Sequence, residues 1–312
     1  MLTRRKGEVA LIIAALAFSI NGIFSKLVLE AGLSPFRLAE IRSTGAFFSF
    51  FIYLLIFNRK ALRFEWKALP EMLIYGIIGY AGVQAFYFVA ITRMPVSVGL
   101  IIEFTAAIWI TLWIRFVRKE FVPKSMWTAV FLAISGLALI AQVWKGLIFN
   151  TWGVIAAFLD AFALTAYFLL GEKWGKRAST ESLMFYGFGI SMLFWWLFLP
   201  LWSYPTEIFS QKIDMRGHLA GHYSSGIFLI LLVIFVGTII PYTFNLIGVT
   251  KTSASTAAIM GTLEPVLAGV FAWIWLSETF NLIQLIGAGA VITAIYIATK
   301  ARAAAIQQIV PE

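Results

Sequence analysis

Four ionisable side chains, Arg42, Glu103, Asp160 and Glu264, stand within stretches that are otherwise apolar. A charge surrounded by hydrocarbon is costly unless it is paired, hydrated or neutralised, so each of the four is a candidate functional group. Pairing Arg42 with one carboxylate would leave the other two to hold a cation or take up a proton, because desolvation disfavours an unpaired anion. A static structural ion pair is the alternative.

Polar residues also recur at helical spacing. Tyr80, Gln84 and Tyr87 follow one another at i, i+4 and i+7, which places them on one helix face. Thr238, Tyr242 and Asn245 repeat that spacing 158 residues later. Two such stripes would make opposite walls of one polar cavity, with helix-to-helix hydrogen bonding as the structural alternative. Asn21, with Ser25 one turn on, is a further candidate of the same kind. Pro241 and Pro265 cannot donate to the carbonyls four residues earlier, on Gly237 and Gly261, so these four positions are candidate hinges. A carbonyl freed beside Glu264 is a candidate substrate ligand. His218 and His222 have i, i+4 spacing but no third ligand near them, and the chain has no Cys, so no metal or other cofactor is expected. The motifs of ATP-binding P-loops, zinc hydrolases and serine hydrolases do not occur.

The elements that position these groups must live in lipid. Of the 312 residues 61% are hydrophobic and 12% charged, against about 25% charged in a globular protein. Mean hydropathy is +0.89. That is more apolar surface than a water-soluble core can hide, and it implies an all-α integral membrane protein. Apolar runs of spanning length predict ten transmembrane helices: Glu8 to Leu29, Phe36 to Phe57, Glu71 to Thr92, Val96 to Val117, Ser125 to Trp144, Thr151 to Gly171, Ser182 to Trp202, Ser225 to Val249, Ser253 to Leu276, and Asn281 to Thr299. The first run is too long for a cleaved signal segment and is expected to be a retained span. Ser203 to Ser224 is expected to be an exposed loop. Trp109, Trp113, Trp195 and Trp196 suit lipid-facing or interfacial positions.

With the N-terminus inside and alternating spans, only Lys26, Arg37, Arg42, Arg93, Lys145, Lys212 and Arg216 fall outside or within spans. The other 17 of the 24 basic residues fall in inner loops. This bias predicts both termini in the cytoplasm, and it accounts for the net charge of +9 without nucleic acid.

Sliding the chain against itself by 158 residues pairs Ile91-Thr92-Arg93 with Val249-Thr250-Lys251, Gly79 with Gly237, Phe86 with Phe244, Ser97 with Ser255 and Glu120 with Glu278. The expected organisation is two five-helix copies, residues 1–145 and 146–312. An odd number of spans per copy inserts the second upside down, giving halves related by an axis in the membrane plane. That architecture suits a carrier with a site near the bilayer midplane.

The run Ile91 to Val122 and its partner Val249 to Phe280, each with a T-[RK]-x-x-x-S link and a terminal Glu, resemble the paired EamA repeat of the drug/metabolite transporter superfamily. Ile102-Glu103-Phe104-Thr105 and Leu263-Glu264-Pro265 are similar to motifs of homoserine/threonine exporters, although Ala106 and Ala107 stand where a Pro is common. The resemblance implies a secondary transporter of the cytoplasmic membrane that exports amino acids or related small metabolites by alternating access. Its expected partners are a small-molecule substrate, membrane lipid and protons. An intramembrane enzyme or a non-transporting structural or receptor-like protein is the alternative.

Overall fold

The computed structural model describes residues 2–63, 66–94, 96–144, 150–276 and 281–309. Lys145, Glu278 and the expected junction between the two copies lie outside them. Ten apolar helices have the length and composition to cross a membrane: α1 Arg5–Glu30, α2 Pro35–Phe57, α3 Leu69–Ile91, α4 Val98–Val117, α5 Lys124–Ala141, α6 Thr151–Trp174, α7 Thr180–Phe198, α8 Gly226–Lys251, α9 Ala254–Trp275 and α10 Leu282–Ala301. Helices satisfy every backbone polar group internally, which hydrocarbon demands. Their outer faces carry exposed apolar side chains such as Ile56, Phe131 and Leu197, as expected of a surface solvated by lipid.

Local sequence sets the helix ends. Ser34 caps α2 by accepting a hydrogen bond from the Arg37 N–H at 3.3 Å, and Pro35 supplies the first helical φ. Asn150, Ser179 and Ser253 cap α6, α7 and α9 in the same way. Two spans end earlier than the sequence suggests. Gln142 turns left-handed at φ 51° and stops α5 at Ala141, and Pro200 forces Leu199 out of the helical region and stops α7 at Phe198.

The segment after α7 is folded, correcting the expectation of a plain exposed loop. A short helix, Glu207–Ser210, precedes a hairpin of β1 Lys212–Asp214 and β2 Tyr223–Ser225, antiparallel with Ile213 opposite Ser224. Ile208 and Ile213 are buried against the helix ends, which supplies the driving force. Asp214 accepts hydrogen bonds from the backbone of Arg216 and Gly221, at 2.7 and 3.2 Å, and these N–H groups hold its carboxyl below the ordinary aspartate range. The Trp275 indole donates to the Met215 carbonyl at 2.8 Å, and Arg216 pairs with Glu30. The hairpin therefore bridges the ends of α1 and α9.

The helix pairs obey a two-fold exchange. Numbering each copy from its first helix, α1 packs on α8 as α6 packs on α3, and α1 packs on α9 as α6 packs on α4. α2 with α7, α4 with α9, and α5 with α10 are pairs that the exchange maps onto themselves. These two inverted five-helix repeats meet at all of these contacts, the three self-paired ones among them. In the last of them the backbones nearly touch: a Cβ on Gly136 would lie 2.7 Å from the Gly287 carbonyl, and one on Gly287 2.6 Å from that of Gly136.

Most departures from regular winding also come in pairs, the exception being a π turn at Trp113–Val117 near the end of α4. α3 winds as a π-helix over Tyr75–Gly82, and α8 does so over Phe235–Ile239, within the matching stretch at the 158 offset. α4 and α9 are each interrupted at a threonine. At these breaks the Thr105 hydroxyl donates to the Ile102 carbonyl at 2.5 Å, and Thr262 donates to Ile259 at 2.6 Å.

Candidate functional site

A cavity of about 60 Å³ opens where the two breaks meet the π segments. Phe18 and Asn21 of α1, Arg42 of α2, Gln84 and Tyr87 of α3 and Glu103 and Phe104 of α4 line it from the first repeat. The second repeat contributes Tyr167 and Phe168 of α6, Tyr242 and Asn245 of α8, and Gly261 and Glu264 of α9. Each lining helix except α2 has its two-fold counterpart on the wall, so the cavity is shared between the repeats.

Arg42 is 3% exposed. Its Nε donates to Thr238 Oγ1 and its Nη2 to the Gly237 carbonyl, both at 2.8 Å, and its guanidinium lies 5.1 Å from the centre of the Phe88 ring. Among the described residues it has no carboxylate partner within salt-bridge distance, which corrects the expected pairing. The reason lies in α8. Pro241 has no N–H for the Gly237 carbonyl, and Thr238 spends its own hydroxyl hydrogen on the Val233 carbonyl at 2.8 Å. Both oxygens are thereby left to accept from the guanidinium, whose Nη1 bonds to no described residue. Gly237 also has no side chain because Asn21 of α1 occupies that space.

Glu103 and Asp160 are buried, and Glu264 is half-buried at the cavity wall. The three carboxyls lie within electrostatic reach of one another, and Glu264 also lies within reach of Arg42. Asp160 stands behind the lining, one turn from Leu164, and Leu164 and Tyr167 of the same face reach the wall. Four buried side-chain oxygens, Gln84 Oε1, Glu103 Oε2, Asp160 Oδ1 and Asn245 Oδ1, have no hydrogen-bond partner among the described residues. The orientation of Gln84 follows from its Nε2, which donates to the Tyr80 carbonyl at 3.1 Å. The amide oxygens of Gln84 and Asn245, with any ionised carboxylate beside them, are acceptors open to a ligand that donates.

Two of the six stripe residues do not reach the cavity. Tyr80 is fully buried in an aromatic cluster, stacked on Tyr242 with ring centroids 5.5 Å apart, and Thr238 is fully buried under Arg42. Both lie inside π segments. The wider winding changes the angle per residue, so a side chain inside the segment leaves the face kept by those beyond it. Tyr80 and Thr238 support the wall, while Gln84, Tyr87, Tyr242 and Asn245 form it. The Pro265 ring follows Glu264, and Glu264 is fastened to α1 by the Ser19 hydroxyl, which donates to its backbone carbonyl at 2.8 Å. Trp195, expected to face lipid or the interface, is 6% exposed and packs beside Phe36.

The family model described as the EamA-like transporter family matches residues 5–142 and again 151–300. The chain belongs to that family. Among curated relatives, the threonine/homoserine exporter RhtA of Escherichia coli (strain K12) is 27% identical over 246 residues, 78% of this chain and 75% of that protein. RhtA of Salmonella typhimurium (strain SL1344) is 25% identical over 93% of this chain and 92% of that protein. An uncharacterized transporter of Archaeoglobus fulgidus is 23% identical over 95% and 97%. A solved crystal structure of a protein matches with TM-score 0.73 at 16% identity, covering 95% of this chain and 97% of that one, a likeness of fold. As an EamA-like protein, the chain is an integral membrane transporter of a small molecule.

Reading the sequence missed Phe18, Phe104, Leu164, Tyr167 and Phe168. For α6 a signal was present: Asp160, Leu164 and Tyr167 repeat the i, i+4, i+7 spacing of the α3 stripe. Phe104 stood in the motif around Glu103, whereas Phe18 and Phe168 had no signal, since 29 Phe in an apolar chain give no reason to prefer one.

Proposed function

We propose that the protein is a secondary transporter that exports small amino acids or closely related metabolites by alternating access, in exchange for protons. One observation carries this reading. A single buried guanidinium with an uncommitted Nη1 shares the cavity between the repeats with two carboxyls, Glu103 and Glu264, and with acceptor oxygens that lack donors, while a third carboxyl, Asp160, stands behind the wall. An amino acid complements that arrangement, with its carboxylate meeting Arg42 and its ammonium meeting the acceptors around Glu103 and Glu264.

Charge balance supports the coupling. Three carboxylates against one guanidinium would leave a net negative charge in a medium of low dielectric constant, so a cargo ammonium or protons must offset it. Cargo and protons then compete for the same oxygens, and that competition is what an exchanger needs. The names of the exporter relatives point to the same substrate class. Both termini are assigned to the cytoplasm on the distribution of Lys and Arg.

The test is counterflow in proteoliposomes across a panel of unlabelled amino acids, with and without a pH gradient. Threonine-sized amino acids are expected to exchange, faster when the lumen receiving cargo is the more acidic. Glu264→Gln, which keeps the shape and loses the charge, is expected to abolish exchange with expression unchanged. Wild-type exchange by that variant would remove Glu264 from the site.

A further inference from the structure

We propose that Phe104 sets the upper size of the cargo side chain, and that Gly261 holds its ring in the limiting position. This inference rests on the amino-acid reading given above. α4 and α9 form one of the three contacts that the two-fold exchange maps onto itself. Under the 158 offset Glu103 corresponds to Gly261 and Phe104 to Thr262. The pair in contact across the repeats is Phe104 and Gly261, so residues close to the molecular axis touch there.

The two sides of that axis differ. The first repeat places a benzyl ring at the contact, and the second places no side chain at all. A Cβ on Gly261 would fall 2.7 Å from Phe104 Cε1, and its two next nearest atoms, at 3.5 and 3.7 Å, belong to the same ring. The ring therefore fills the space that a side chain at 261 would need. Phe104 also lines the cavity, immediately after Glu103 and immediately before the break at Thr105, while Gly261 immediately precedes the break at Thr262.

In a cavity of about 60 Å³ a ring at the junction of both broken helices limits what else fits. Glu103 and Glu264 can hold the constant ammonium of any amino acid, but they do not distinguish side chains. The ring, packed against a glycine so that it cannot retreat into α9, is the group whose volume decides.

The experiment uses the full-length protein in proteoliposomes, with threonine, leucine and phenylalanine as counterflow substrates and thermal unfolding in detergent as the measure of folding. Phe104→Ala is expected to raise leucine exchange relative to threonine by roughly tenfold or more. Phe104→Leu, the milder change, is expected to shift the ratio in the same direction and serves where the alanine variant is unstable. Gly261→Ala pushes the ring toward the cavity and is expected to lose threonine exchange. Adding Phe104→Leu to Gly261→Ala is expected to restore most of it, because the added methyl clashes with the ring. An unchanged substrate ratio in a folded Phe104→Leu protein overturns the filter while the transport reading stands, as does a Gly261→Ala defect that Phe104→Leu fails to rescue. A wild-type protein that exchanges no amino acid overturns the transport reading and the filter with it.

Discussion

At the residue scale the site turns on how Arg42 is satisfied. Its type and depth were legible, because a lone arginine in an apolar run has few roles. Its partners were not, because Pro241 shows that the Gly237 carbonyl is free but not which donor from another helix will take it. The result is an arginine fixed by two neutral acceptors and an aromatic face, which keeps its charge for a ligand. A lysine cannot reproduce this geometry, since its single ammonium lacks the planar fork. Arg42→Lys is expected to reduce amino-acid exchange at least tenfold, a loss of about 1.4 kcal/mol or more in transition-state terms. Amino-acid amides provide the control. They lack the carboxylate assigned to Arg42, so any residual exchange of an amide is expected to change far less than that of the parent acid. Equal loss for both would place the cargo carboxylate elsewhere.

At the element scale the spans were readable because lipid permits few alternatives, and their existence follows from length and hydropathy alone. Their winding was not readable. The spacing of Tyr80, Gln84 and Tyr87 assumes 3.6 residues per turn throughout, whereas the π segment ends at Gly82, between the first residue and the other two. The same failure removed Thr238 from the opposite wall, so one physical cause explains both misplacements. Non-α winding at these sites leaves ordinary helical hydrogen bonds unmade, a local loss of stability that commonly accompanies function. Pro241→Ala tests this directly. It restores an N–H that competes with Arg42 Nη2 for the Gly237 carbonyl, and it favours a regular helix. Stability is expected to rise, by up to about 3 kcal/mol, while exchange falls. A scanning calorimetry trace and a counterflow rate on the same preparation would show the opposite signs, and parallel changes would count against the use of that carbonyl.

At the scale of the whole molecule the duplication was legible from a constant offset, but the quality of the two-fold relation appears only in the packing, where the largest helix pairs find their counterparts. The asymmetries then stand out. The connection after α7 carries the hairpin of β1 and β2, while its equivalent between α2 and α3 is a pair of short helical turns, Arg59–Leu62 and Trp66–Ala68. Through Arg216 with Glu30 and Met215 with Trp275, the hairpin ties α1 of the first repeat to α9 of the second. Those two helices also line the cavity, at Asn21 and Glu264, so their far ends cannot separate while the hairpin holds both. If alternating access requires separation at that end, the link must break once per cycle. The chain has no Cys, which makes the test clean. With Glu30→Cys and Arg216→Cys together, a short, cleavable bifunctional thiol reagent is expected to stop exchange, and cleavage to restore it. The parent protein should ignore the reagent. Unimpaired exchange by the fully cross-linked protein would show that α1 and the hairpin travel as one body, and that opening on this side occurs between other helices.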